Sequence, residues 1–234
     1  MRTRKQITRK LERQLASYAV AAVAIGAAVP SAAAQVVYTQ TDLKLTHGAL
    51  TFDIDGNGSP ELNLVNEATN SYYFVGGLLF VTGNDAEDSA VLGRKGKLVY
   101  DALPVPQGVS IGPTSPAAFL KASRFYAPFM AEAAYSYNQG RVLTGAFANI
   151  TGKYLGFRFT ESGATHYGWM RLTVTADPSR LPAIVVKVSG YAYESTPDTA
   201  IIAGDRGRGT PQSPHVQESG ATLGELSLGA ARRK

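Results

Sequence analysis

The sequence predicts an all-β protein whose main domain, residues 35–204, is a single antiparallel β-sandwich of the jelly-roll kind. Short runs alternate between apolar and polar residues, which is the pattern of half-buried strands. Clusters of Gly, Asn, Asp and Pro separate the runs, and the spacing between them is typical of a sandwich. The runs are VVYTQTDLKLT, GALTFDID, YYFVGGLLFVTG, GKLVYDA, KYLGFRFTESG, HYGWMRLTV and AIVVKVSGYAYES.

One interval, residues 115–140, departs from this pattern. Its apolar residues recur at helical spacing, but Pro128 interrupts the run, and proline breaks a helix interior. We therefore expect one short helix or an ordered insertion here.

Residues 1–34 have the features of a cleaved signal helix. Six bases and one acid in this segment account for the whole formal charge of +5, and the run LASYAVAAVAIGAAVPSAAA leads to a small-residue site before Gln35. The alternative, a transmembrane helix, needs about 20 apolar residues, whereas this run is interrupted by Pro30. A signal peptide predicts a secreted protein, either extracellular, on the cell surface or periplasmic, that meets the membrane only during export. Because the rest of the chain is neutral, nothing indicates a nucleic-acid partner.

Residues 205–234 differ in composition from the domain. Between 205 and 220 the only apolar residue is Val216, so this segment is expected to be a flexible linker that leads into a short C-terminal tail.

The stretch GFRFTESGATHYGWMRLTV predicts a hairpin. A two-residue turn at Ser162 and Gly163 would place Phe159 opposite His166 and Gly156 opposite Trp169. Alternation then puts the apolar residues on one side of the sheet, which must be the core side. This side carries Leu155, Phe157, Phe159, His166, Met170 and Leu172, so His166 is expected to be a hydrogen-bonded core residue.

The other side of the hairpin has two interpretations. Trp169 can cover the backbone of Gly156 while Arg158 stacks on Tyr167, which would only stabilise the sheet. Alternatively, an aromatic ring with arginines can bind a sugar. Glu194, which follows on the next strand, either joins this site or forms a salt bridge to Arg158 or Arg171. The candidate ligand-binding residues are Arg158, Tyr167, Trp169, Arg171 and Glu194.

The segment DIDGNGSPE predicts a Ca²⁺ loop. Oxygen-bearing side chains alternate with glycines, and Ca²⁺ prefers six to eight oxygen ligands. The EF-hand pattern is not met, because Leu64 stands where that loop has a glutamate. An ordinary Asx-rich hairpin turn is the alternative. The candidate metal ligands are Asp53, Asp55, Asn57, Ser59 and Glu61.

Several motifs resemble a group of secreted bacterial proteins, mostly uncharacterised, of the PEP-CTERM-associated type. The shared motifs are GFRF, HYGW and YAYE with a following proline, and a closing I-x-A-G; they cover residues 154–204. The resemblance implies membership of that group and no known activity. The end of the chain resembles a truncated sorting tail, because it has terminal bases but lacks Pro-Glu-Pro, and its apolar span is too short to cross about 30 Å of hydrocarbon.

Motifs of catalysis are scarce. The chain has no cysteine, no G-x-S-x-G, no H-E-x-x-H and no phosphate-binding glycine loop. We therefore expect a non-catalytic protein of the cell surface or extracellular matrix that binds an extracellular polysaccharide or a surface protein. The alternative is a secreted hydrolase or lyase acting on polysaccharide, in which two carboxylates such as Glu161 and Glu194 would share a cleft.

Overall fold

The computed structural model describes residues 35–70, 74–84, 88–96, 100–123, 127–136, 140–209 and 211–219. The expected signal helix and the end of the expected tail, 1–34 and 220–234, lie outside these ranges. Within them the protein is all-β and contains no helix, which confirms the predicted class.

The described residues form sixteen strands. In chain order these are β1 Val36–Leu45, β2 Gly48–Phe52, β3 Leu62–Asn70, β4 Phe74–Gly83, β5 Ala90–Lys95, β6 Tyr100–Ala102, β7 Pro104–Val105, β8 Ser110–Ile111, β9 Ala118–Lys121, β10 Phe129–Ser136, β11 Gly140–Thr144, β12 Ile150–Glu161, β13 Ala164–Ala176, β14 Ile184–Glu194, β15 Ile201–Ile202 and β16 Val216–Ser219.

Fourteen of these strands belong to one sheet. Its path runs β1-β14-β13-β12-β5-β6-β10-β4-β3-β2-β16, with β7, β9 and β11 paired to strands along the path, while β8 and β15 form a separate pair. Neighbours are antiparallel except β10 and β6, which are parallel. The sheet is therefore mixed at this one pair and antiparallel, as predicted, at the other neighbours.

The long sheet curls so that its two arms enclose one core. Leu64 and Leu79 from one arm share a hydrophobic cluster with Leu172 and Val186 from the other. The side-chain amide of Asn66 also donates to the Ile184 carbonyl across the interior, at 3.0 Å. The two layers are therefore arms of one continuous sheet.

The helix or insertion expected within 115–140 is replaced, over its described part, by strands β9 and β10. Strand β10 pairs along β4, and alanines face the glycines of that strand. A Cβ added to Gly76 would lie 2.6 Å from the Ala133 carbonyl oxygen. Small residues thus let two strands pack closely, and this tertiary pairing overrides the helical spacing of the apolar residues.

A second, smaller core covers the outer face of β12, β13 and β14. Segments 104–120 and 197–209 lie over that face and contribute Val105, Ile111, Ile201 and Ala203. These side chains pack with Trp169 from the sheet. The hairpin is therefore buried on both sides.

The first part of the expected linker contacts the domain. Gln212 forms a bridge with Thr39 of β1, and its N–H donates to the Tyr38 carbonyl at 2.8 Å. Residues 216–219 then pair antiparallel with β2 as β16. Backbone pairing needs little apolar side-chain content, which explains why composition suggested a flexible segment. The structure continues the sheet to Ser219.

Candidate functional site

The loop between β2 and β3 is held by its own polar groups. The Glu61 N–H donates to the Phe52 carbonyl at 3.0 Å and closes the loop. The Asp53 carboxylate accepts from the N–H groups of Gly56 and Gly58, at 2.8 and 2.9 Å. Both glycines have positive φ, 79° and 91°, a conformation that other residues rarely adopt.

Three carboxylates converge in this loop. One oxygen each from Asp53, Asp55 and Glu61 lie within 4.8 Å of one another. The Glu61 side chain is fully buried, and its Oε2 accepts a hydrogen bond from the Ile54 N–H. Its other oxygen, Oε1, is buried without a hydrogen-bond partner. A buried carboxylate oxygen without a hydrogen-bond partner destabilises the folded state. A ligand that contacted Glu61 Oε1 would remove this cost.

Burial raises the pKa of Glu61 to about 8, and the negative charges of Asp55 and Asp53 add to the effect, while the hydrogen bond from Ile54 opposes it. Within the loop, the interactions that disfavour the ionised form of Glu61 therefore outweigh the hydrogen bond that favours it. A cation among the three carboxylates would compensate for them.

The other two predicted metal ligands are hydrogen-bonded within or next to the loop. The Asn57 side-chain oxygen accepts from the Ser59 N–H at 2.7 Å, and its amide donates to Asp55 at 2.9 Å. The Ser59 hydroxyl accepts from the Asn84 side chain at 3.1 Å. The structure thus brings three of the five predicted ligands together as carboxylates, and it uses Asn57 and Ser59 to shape the loop.

The C-terminal segment lies against the same loop. The Asp53 N–H donates to the His215 carbonyl at 3.1 Å. Beside this hydrogen bond lies a cleft of about 460 Å³, lined by residues of both segments: Thr51, Asp53, Gly58, Pro60, Pro214, His215, Val216 and Gln217. His215 is not among the residues that the sequence predicts for this site, because the composition around it is that of a linker.

The hairpin has the register that the sequence predicts. Phe159 lies opposite His166 and Gly156 opposite Trp169, with Ser162 and Gly163 at positive φ in the turn. His166 is buried and its Nδ1 is 2.9 Å from the Glu194 carbonyl oxygen. It is a hydrogen-bonded core residue, as expected.

The aromatic residues on the other side of the hairpin are not available at the surface. Trp169 is 1% exposed and Tyr167 5% exposed. The Trp169 Nε1–H donates to the Asp205 carbonyl at 3.0 Å, so a segment from the end of the domain covers the ring. Arg158 stacks over Phe119, 5.4 Å from the ring centroid, in place of the expected Tyr167.

Arg171 is half-buried and Glu194 is buried, and both lie against other parts of the domain. The guanidinium of Arg171 packs against Gly152, where an added Cβ would lie 2.8 Å from Nη2. Glu194 is 2% exposed, and its Oε1 accepts from two backbone N–H groups, those of Gln35 and Thr196, each at 2.8 Å. Among the described residues no arginine pairs with it, contrary to the expected salt bridge. The five candidate ligand-binding residues therefore do not form one exposed surface in this structure.

Comparisons with protein-family models, with curated proteins and with solved structures each found no match. In the part of the chain that the structure describes, no helix has the length and apolar character needed to cross a membrane.

Proposed function

We propose that this chain is an exported, non-catalytic protein of the cell surface or extracellular matrix whose β-domain is stabilised by Ca²⁺ in the loop 53–61. The observation that carries the proposal is the convergence of three carboxylates in this loop, one of which, Glu61, has a buried Oε1 with no hydrogen-bond partner. Export supports the choice of ion, because weak extracellular sites work at Kd values of about 10⁻⁴–10⁻³ M.

The chemistry of the donor set favours a hard cation. Each of the three converging groups offers a carboxylate oxygen, and the cluster contains neither sulfur nor imidazole nitrogen. Ca²⁺ takes oxygen ligands in flexible geometry, whereas Zn²⁺ prefers nitrogen and sulfur. The ion would relieve repulsion between carboxylates and tie β2 to β3, with no part in a reaction.

The same proposal includes cleavage of the signal peptide before Gln35 and an extracellular polysaccharide or surface protein as partner. Of the candidate ligand-binding residues, Arg158 has a side chain that is about a third exposed, so it is accessible to a partner. Protein recovered after export should begin at Gln35; recovery of exported protein that still begins at Met1 would refute processing.

Thermal unfolding in EDTA and in millimolar CaCl₂ tests the metal. At a free ion concentration about 100-fold above Kd, binding to the native state adds about 2.7 kcal/mol. For a domain of this size, that corresponds to a rise in Tm of about 5–10 °C. Asp55→Ala should abolish the rise.

Asp42→Ala is the matched control, because Asp42 is an exposed aspartate outside the loop. It should keep the full Ca²⁺ response. Superimposed wild-type curves with and without Ca²⁺ would show that the loop is only a turn.

A further inference from the structure

Residue 35 is fixed to the end of β14 by both of its backbone groups. Its carbonyl accepts from the Ser195 N–H at 3.0 Å and from the Ser195 hydroxyl at 2.9 Å. Its nitrogen lies 2.8 Å from Glu194 Oε1. Residue 35 is thus held at its carbonyl by Ser195 and at its nitrogen by Glu194.

The Glu194 carboxylate, which accepts a hydrogen bond from the Gln35 N–H, lies in an unusual environment for a charged group. Glu194 is almost fully buried, and its described partners are neutral backbone amides. A buried carboxylate is normally paired with a positive charge. The described ion pairs leave Glu194 without one.

Cleavage before Gln35 would supply that charge at the same point. Hydrolysis of the peptide bond between Ala34 and Gln35 turns the amide nitrogen into an α-ammonium group, 2.8 Å from Glu194 Oε1. Gln35 is exposed, so water can bind the remaining protons of the ammonium. Charge-assisted hydrogen bonds are about twice as strong as neutral ones.

We propose that Glu194 is the binding site for the new amino terminus of the processed protein, so that removal of the leader itself strengthens the folded domain. The inference rests on the proposed export and its cleavage position. It assigns to Glu194 a role that replaces both the ligand contact and the arginine salt bridge expected from the sequence.

The interaction has a defined pH dependence. An α-amino group in an unfolded chain has a pKa of about 7.7–8.0, and a neighbouring carboxylate raises the pKa of the folded group. The stabilisation is therefore complete below that unfolded value and disappears as the pH rises through the higher folded value.

The experiment compares two forms of the full chain that differ only at the cut. A protease site is placed before Gln35 in one and before Ala33 in the other, and both leaders are removed. At pH 6.5 the protein beginning at Gln35 should unfold about 2–4 °C higher than the protein beginning at Ala33. The difference should vanish at high pH and in Glu194→Gln.

A chemical control leaves Glu194 intact. Glutaminyl cyclase makes the α-amine attack the Gln35 side-chain amide, ammonia leaves, and a neutral lactam replaces the ammonium. This treatment should remove the gain in Tm. Intact-mass measurement verifies which form is present.

The outcomes separate the two proposals. If the natural mature protein begins at Gln35 but has the same Tm as the form that begins at Ala33, the proposed role of Glu194 is overturned and the proposed export is not affected. A gain that survives cyclisation also overturns it. A natural amino terminus elsewhere overturns the cleavage position and this inference together.

Discussion

Substitution of Glu61 by glutamine in ion-free protein tests how strongly ionisation of this carboxylate, the most buried of the three in the loop, destabilises the fold. The pKa of Glu61 is raised from 4.5 to about 8, chiefly because burial disfavours the charged form. Since one pKa unit is worth about 1.4 kcal/mol, the ionised side chain costs the native state about 5 kcal/mol. That is a large part of the 5–15 kcal/mol that stabilises a typical domain.

The direction of the effect follows from the two pKa values. Unfolded chains release this proton near pH 4.5, whereas the folded protein keeps it up to about pH 8. The contribution to stability is complete below 4.5 and falls by about 1.4 kcal/mol per pH unit up to about 8. Above that pH the loss is complete. Glu61→Gln carries no titratable group there, so its stability should not show this slope.

Urea unfolding in EDTA at intervals from pH 5 to pH 9 measures the effect. The relevant quantity is the difference in free energy of unfolding between wild type and Glu61→Gln, because other titrating groups cancel. Glu67→Gln, at an exposed position on β3, is the control and should parallel the wild type. A difference between wild type and Glu61→Gln that stays constant from pH 5 to pH 8 would refute the argument.

Two further predictions concern packing. Removal of residues 211–234 should lower Tm by several degrees, because β16 pairs with four residues of β2 and Gln212 bonds to β1. An unchanged Tm would instead favour the flexible linker that the composition predicts. Gly168→Ala should lower the free energy of unfolding, measured in urea, by about 1–3 kcal/mol, because the added Cβ would lie 2.3 Å from the Phe157 ring. Gly209→Ala is the control and should have no effect, because the space around Gly209 is open. Equal stability of the two alanine variants would contradict the packing described for β13.

The hairpin was predictable because its determinants are local. Its strands adjoin in sequence, and a two-residue turn at Ser162 and Gly163 fixes their register. Phe157, Phe159 and Met170 then had to share the buried side. A slip of one residue would have moved all of them to the opposite face.

The fate of the opposite face was not predictable from the hairpin alone. Alternation identifies the side on which Trp169 lies, but the segments that cover it come from residues 104–120 and 197–209. In the same way, the spacing of Asp53, Asp55 and Glu61 suggested shared oxygens. The complete burial of Glu61 depends on packing around the loop, which spacing does not encode.

The continuity of the sheet could not be predicted from the sequence either. Alternation predicts strands, their buried faces and the all-β class that the structure confirms, but it does not say which strands become neighbours. Strand β10 joins the two arms by pairing with β6 and β4. Its alanines have no strong strand preference of their own, so the pairing depends on the glycines of β4.

The crossing of the C-terminal segment from β1 to β2 has a consequence for solubility. An uncovered edge strand presents free N–H and C=O groups that can recruit a strand from another molecule. Gln212 occupies part of the outer edge of β1, and β16 occupies that of β2. Residues 211–219 thus cover part of the β1 edge and replace the β2 edge by the four-residue strand β16. Short edge strands recruit other chains less readily, so protein that lacks these residues should self-associate at concentrations at which the intact chain stays dispersed.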